Sequence, residues 1–292
     1  MATETDPNSF QDRFPAIQQI PPLSPVAREL LAQIERDDSD IPRLAALIEQ
    51  DPALTARLLG VANSAYFGRQ EKVWTVAEAI IRVLGLKLVK SIALGIALAA
   101  PFDASRCRSF ELDRHWYRSM LTAALAGRLA AQAGLNGDAG SLLYAAGLLH
   151  NLGQLALVHL FPAEMDQAFR EHRRHPEQDL RGLERRLLGV DECQAGMALG
   201  YRWHLPGTLI RIIEHAYAAE YRGEDWRAAR LVGYCSALAD ACFRDPEHCR
   251  ETLPLREASL PGLDGEAVEK ALDALSGLDA ETRLLARQMA GH

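Results

Sequence analysis

The chain has 292 residues, with 32 Lys+Arg against 39 Asp+Glu, a formal net charge of −7 with His neutral, and 48% hydrophobic and 24% charged residues. That composition excludes disorder and predicts one large or two smaller globular domains with a sizeable core. The acidic balance argues against nucleic acid as the default partner, because phosphate binding needs a local excess of Lys and Arg.

The longest apolar run, Ile92 to Phe102, has 11 residues and contains Gly95 and Pro101. A bilayer span needs roughly 20, so no membrane span is expected. Met1 to Pro15 is polar and acidic, without a basic start and an apolar stretch, which predicts a cytoplasmic protein. The five cysteines, Cys107, Cys193, Cys235, Cys242 and Cys249, are odd in number and widely spaced, hence expected as free thiols.

Helix punctuation then recurs along the chain. Ser24-Pro25 and Asp51-Pro52 each combine an N-cap with a first-turn proline, and Asp40 stands where it can cap a helix between them. Thr75 with Glu78 forms a capping box, Gly85 supplies a stop, and an apolar helix follows from about Leu86 to Ala100. A second block opens near Glu111 with a helix through Trp116, Met120 and Leu129, then one through Leu142, Leu149 and His150. Further helices are predicted at about 162–175, up to Gly189, after Asp191 and Pro206, and at about 225–243. A terminal acidic pair is built on Val268, Leu272, Leu275 and Leu284. No succession of period-2 strands occurs, so the fold class is all-α, an irregular multi-helix bundle. The organisation read from this is a flexible N-terminus (1–13), an N-terminal helical half (14–110), a second helical bundle (111–245) and a linker with acidic helices (246–292).

One segment stands out chemically. His150-Asn151 ends an apolar helix just before Leu152-Gly153. An adjacent His and Asp at such a position can bind a metal whose bound water attacks phosphate esters. Here the second residue is an amide, and a polar pair hydrogen-bonded inside a bundle is the plainer reading.

Ordered motifs in both halves resemble the HDOD domain, a relative of the HD metal-dependent phosphohydrolases found mostly in bacterial signalling proteins. They are Ile20-Pro21-Pro22-Leu23-Ser24-Pro25, the run from Asp51-Pro52 to Leu59, Ala62-Asn63-Ser64-Ala65-Tyr66-Phe67-Gly68, Ala79-Ile80 with Leu84-Gly85, Trp116 with Ser119, Gly147 to Gly153, and Trp203-His204-Leu205-Pro206. The resemblance runs from about Phe14 to Tyr217 and implies a helical fold with an HD-like core. The HD relatives hold metal with an early His, a His-Asp pair and a later Asp. Carried over by position, the early His is Arg118 and the paired Asp is Asn151. A family His after Asp191 is Glu192, His215 keeps the first of a later His pair while Ala216 replaces the second, and Asp240 stands near the last carboxylate. His150 alone survives clearly.

An Arg at a ligand position opposes a divalent ion by about 8 kcal/mol, doubling the roughly 4 kcal/mol of two unit charges 4 Å apart at an effective dielectric near 20. No metal or other cofactor is therefore expected, and Arg118 is expected to pair with Glu192 or to hold an anionic ligand. Asp51, Pro52, Asn63, Ser64, Gly68, Trp203 and Pro206 are read as structural motif residues. The stretch Arg170 to Arg186 alternates Arg with Glu and Asp, as solvated ion-paired faces do. Cys235, Cys242 and Cys249 recur every seven residues and read as small buried hydrophobes, not a zinc site.

The leading expectation is a non-catalytic signalling module, a pseudoenzyme of the HD superfamily that binds a signalling or regulatory protein or a small anionic ligand. The alternative is a phosphodiesterase or nucleotide hydrolase with a degenerate site of His150, His215 and Asp240. Nucleic-acid binding through Arg170 to Arg186 carries the least support. The acidic terminal helices are expected either to dock on a basic partner or to fold back on the bundle.

Overall fold

Short polar caps and first-turn prolines start the helices of the N-terminal half. In the computed structural model, Ser24 Oγ accepts the Ala27 N–H at 3.1 Å, and Asp51 Oδ1 accepts those of Ala53 and Leu54 at 3.0 Å each. The structure describes residues 14–34, 40–68, 71–135, 138–245, 260, 262–276 and 279–291. The expected flexible N-terminus (1–13), most of the expected linker and Cys249 lie outside the described residues.

A 3-10 turn, Pro15–Gln19, leads into α1 (Pro25–Gln33), α2 (Ile41–Ile48) and α3 (Pro52–Ala62); after a second 3-10 turn, Ala65–Phe67, come α4 (Val76–Ala79) and α5 (Leu86–Ala99). The second block holds α6 (Leu112–Leu129), α7 (Asp138–Leu149), α8 (Leu152–Leu160), α9 (Pro162–Arg174), α10 (Leu180–Leu188), α11 (Glu192–Trp203), α12 (Gly207–His215) and α13 (Trp226–Arg244). The acidic pair is α14 (Gly265–Ser276) and α15 (Asp279–Ala290). Every regular element among the described residues is helical, and none of these helices is long and apolar enough to cross a membrane. Asp40 precedes α2 as expected, but its side chain makes no capping hydrogen bond.

Helix α6 is the central element, packed by α7 on one side, α13 on another and α15 on a third. The N-terminal helices join through α5 against α7 and through α3 against α15. Two of the motifs meet across the chain. Trp203 Nε1 donates to Pro21 O at 3.2 Å, and Arg202 Nη2 donates to Ile20 O at 2.7 Å, which ties the opening segment to the end of α11. Asn63 clamps residue 73 by both backbone groups, Nδ2 to Val73 O at 2.9 Å and Val73 N to Oδ1 at 2.8 Å. Gly68 then takes a left-handed conformation, φ 66°, that a side chain would strain.

The acidic tail folds back on the bundle. Tyr117 of α6 donates to Asp279 Oδ1 at 2.7 Å, Arg283 pairs with Asp279 at 2.8 Å, and its guanidinium lies 4.6 Å from the centre of the Phe243 ring. Val268, Leu272 and Leu275 are buried as the sequence predicts, but Leu284 is 48% exposed and its neighbour Leu285 is fully buried. The inward stripe of α15 is Thr282, Leu285, Ala286 and Met289, at helical spacing.

This register makes adjacent leucines unequal. Leu285→Ala is expected to cost about 2–5 kcal/mol by opening a cavity, and Leu284→Ala less than about 0.5 kcal/mol. Urea denaturation of the two variants checks it.

Candidate functional site

Two glycines bring the site helices together. A Cβ at Gly147 would lie 2.6 Å from Ala123 Cα of α6, and one at Gly153 only 1.9 Å from Glu192 O of α11. Both positions must therefore stay bare for α6 and α11 to close on the His150-Asn151 corner between α7 and α8.

Arg118 comes from α6 into this junction, with its side chain 11% exposed. Its Nε donates to Ser236 Oγ of α13 at 2.9 Å, and its Nη2 donates to Tyr217 Oη and lies 3.4 Å from Glu192 Oε1. Asp240 Oδ2 lies 3.6 Å from Nε. Burial opposes the guanidinium charge, but Tyr217, Asp240 and Glu192 outweigh it and hold the group protonated well above its usual range.

The hydrogen bonds fix the state of His150, which is fully buried. Nδ1 lies 2.7 Å from Gly147 O, which can only accept, so the proton is on Nδ1. Nε2, 2.9 Å from Ser236 Oγ, must then accept the Ser236 hydroxyl proton. Ser236 Oγ in turn accepts from Arg118 Nε and from Tyr217 Oη at 2.9 Å. Every group in this chain is satisfied with neutral imidazole, and burial followed by the Arg118 charge pushes His150 well below its usual pKa.

Asn151 belongs to a separate network. Ser119 Oγ lies 2.9 Å from its Oδ1, and its Nδ2 donates to His115 O at 3.4 Å. His115 itself is driven down to about 3, first by burial.

A divalent metal does not fit this arrangement. Both His150 nitrogens are committed, Asn151 offers an amide already bonded, and a guanidinium stands between His150 and the carboxylates. Among the described residues no group of three or more His, Cys, Asp or Glu side chains is placed to hold a metal.

Above the network opens a cavity of about 420 Å³ whose lining includes Arg118, Arg181, Glu192, Tyr217, Ser236 and Asp240. His150 and Asn151 lie beneath its floor. His215 is not brought in: its ring stacks on Tyr221 at 3.7 Å and its Nε2 faces Glu214 at 3.5 Å. A larger hollow of about 720 Å³ lies beyond Phe110, Glu111 and Arg114, against α15, and is lined by Cys107 but by none of the candidate site residues read from sequence.

Sequence reasoning missed four participants. Ser236 and Tyr217 complete the network. Arg181, read as part of a solvated face, turns inward and lies 3.8 Å over the Tyr217 ring. The rest of that run does pair on the surface, as Arg186 with Glu171 at 2.6 Å. Glu184 is fully buried, and its Oε2 accepts the Glu192 N–H at 2.8 Å. Its Oε1 and Glu192 Oε2 are both buried without a hydrogen-bond partner. Burial, then the Glu192 charge, raises Glu184 well above the usual carboxyl range. Only Ser236 left a trace in the sequence, a hydroxyl one turn before Asp240 on an alanine-rich helix.

A model of the HDOD domain matches residues 20–219. An uncharacterised protein of Treponema pallidum (strain Nichols) is 28% identical over 219 residues, which is 75% of this chain and 41% of that protein. The chain thus spans about two-fifths of the length of the curated relative it matches. Among solved structures, a protein of Marinobacter aquaeolei VT8 provisionally named for signal transduction superposes with TM-score 0.82 at 24% identity, over 99% of this chain and 68% of that one. A provisionally named phosphohydrolase of Shewanella amazonensis SB2B gives 0.76 at 20% identity, over 96% and 98%. An HDOD domain protein of Geobacter sulfurreducens gives 0.74 at 20% identity, over 98% of each chain. At these identities the structures share the fold.

Two predictions follow from the network. Arg118→Ala removes the guanidinium beside the buried Glu192 carboxylate and is expected to cost about 3–5 kcal/mol in urea denaturation. Adding Glu192→Gln should recover part of that loss; strict additivity of the two changes would deny the pair. The second concerns Glu184, whose pKa is higher folded than unfolded. Above the ordinary glutamate value of about 4.3 the native state binds the extra proton, so this group's contribution falls as pH rises toward its folded pKa. Glu184→Gln keeps a donor without a titrating proton, so its stability relative to the parent should rise from pH 5 to pH 8.

Proposed function

We propose that this protein, which belongs to the HDOD domain family, is a non-catalytic module of bacterial signal transduction, working in the cytoplasm by binding a regulatory protein or a small anionic ligand. The observation that carries this reading is the Arg118 guanidinium, bonded to Ser236 and Tyr217 beside Glu192 and Asp240. We read Arg118, His150, Asn151, Glu192 and Asp240 as a remnant HD site in which a cation of the chain stands in for the metal. His215 belongs to that set by sequence position only.

The hydrolase alternative needs His150, His215 and Asp240 as ligands. His150 has no free nitrogen, His215 packs elsewhere, and Asp240 is engaged by Arg118 and by Arg114 at 3.4 Å. For an anionic ligand, Arg181 is the better-placed cation in the cavity, since its ion pair at 3.2 Å is with the exposed Asp179, whereas Arg118 is bonded to Ser236 and Tyr217 beside Glu192.

The purified full chain is expected to hold no stoichiometric transition metal and to hydrolyse neither cyclic dinucleotides nor bis(p-nitrophenyl) phosphate. Elemental analysis after purification without chelator, with assays supplemented by manganese or iron, tests this. One equivalent of tightly bound metal, or turnover abolished by His150→Ala, would restore the hydrolase reading.

A further inference from the structure

The charged side chains in the cavity above His150 alternate in sign. Asp240 stands between two arginines, 3.4 Å from Arg114 Nη2 and 3.6 Å from Arg118 Nε. Glu192 continues the row, 3.4 Å from Arg118 Nη2, and its carboxylate is foremost among the charges that favour the protonated Arg181. Three arginines thus share two carboxylates, and the row begins and ends on a cation. All five side chains line the same cavity of about 420 Å³.

Arg181 is the open end of this row. Its one ion pair among the described residues is with Asp179 at 3.2 Å, a carboxylate 53% exposed, and exposed pairs of that kind are weak and screened by salt. Its Nε and Nη1 make no hydrogen bond among the described residues. The guanidinium is nevertheless held in place, stacked 3.8 Å over the centre of the Tyr217 ring. A positioned guanidinium with donors to spare suits bidentate capture of an oxyanion. The other charges on the lining, Glu111, Glu177, Arg173 and Arg244, are exposed at the rim.

The same cavity has an apolar part. Phe110 and Phe169 lie with ring centroids 5.6 Å apart, and Leu180 and Ala237 join them in the lining. Rings so placed favour a flat aromatic body, which packs offset or edge-on against them. The volume falls within the range of about 300–1,000 Å³ usual for small-molecule sites.

We propose that this cavity binds a small aromatic monoanion, one carboxylate or phosphodiester group on a flat ring system, with the anionic group on Arg181 and the ring against Phe110 and Phe169. A single negative charge completes the row that starts at Arg114. A second one would stand beside Glu192 and Asp240 without a cation of its own, and a cationic ligand would meet the surplus arginine. This rests on the reading of the protein as a binding module and names the ligand class of its cleft.

The test is calorimetric titration of the full chain with two monoanions, 2-naphthoate and methyl 2-naphthyl phosphate. Their neutral, doubly charged and cationic counterparts are 2-naphthamide, 2-naphthyl phosphate and 2-naphthamidine. At least one monoanion should bind at least tenfold more tightly than any of those three and than acetate, and the tighter of the two identifies the oxyanion. Arg181→Gln should weaken that binding at least fivefold. Asp179→Asn, a change at an exposed position, should tighten it at least twofold by freeing Arg181, and it decides the matter should Arg181→Gln not fold. Absence of binding by both monoanions, equal affinity for 2-naphthoate and 2-naphthamide, or an affinity that Asp179→Asn leaves unchanged would overturn the proposal. Those outcomes strike only the ligand, whereas bound metal or phosphodiester turnover strikes the binding-module reading itself.

Discussion

A buried guanidinium needs every one of its surroundings to be right, and the second half of this chain is arranged around Arg118. Leaving such a charge without partners in the interior costs several kcal/mol. Its partners arrive from two helices and a turn: Glu192 from α11, Ser236 and Asp240 from α13, and Tyr217 from the turn after α12. These contacts are all remote in sequence, Arg118 to Glu192 being the shortest at 74 positions and Arg118 to Asp240 the longest. The charge therefore fixes the mutual placement of four elements that local sequence leaves independent.

The same constraint explains the glycines. Gly153 lets α8 touch the backbone of α11 at Glu192, and Gly147 lets α7 touch α6 at Ala123. A methyl group at either would push α11 or α6 outward and lengthen the Arg118–Glu192 separation, which at 3.4 Å has little to spare. Close packing and charge pairing are thus one requirement at this corner: the small residues set the distance, and the ion pair needs it.

The helices were largely legible because their signals are local. Ser24-Pro25, Asp51-Pro52 and the Thr75–Glu78 box each act within four residues, and all three cap as read. Asp40 shows the limit: a capping residue type stands in the right place, yet its side chain makes no cap. Helical register near the end of the chain was less secure, since Leu284 and Leu285 are both apolar and only contact with α3 and α6 selects Leu285 for burial. The candidate site was legible where motif spacing marked it, at Arg118, His150, Asn151 and Glu192. Arg181 was not, because nothing in a run of alternating charges distinguishes the arginine that turns inward over Tyr217 from those that pair in solvent. His215 was read into the site from its motif position, but its ring packs on Tyr221.

Helix α6 joins these observations. One of its faces presents Arg114 and Arg118 to the cleft, and another presents Asp113 and Tyr117 to α15, where Tyr117 bonds Asp279 and Arg287 lies 3.5 Å from Asp113. Helix α15 in turn rests on α3, the helix whose C-terminal Asn63 holds the backbone at Val73. A continuous run of packed helices therefore connects the cleft to the N-terminal half. Within it the polar groups around His150 are mutually satisfied, and satisfied buried networks rigidify the elements they join. A core of that kind suits a scaffold that presents a fixed surface, as the binding module proposed above requires.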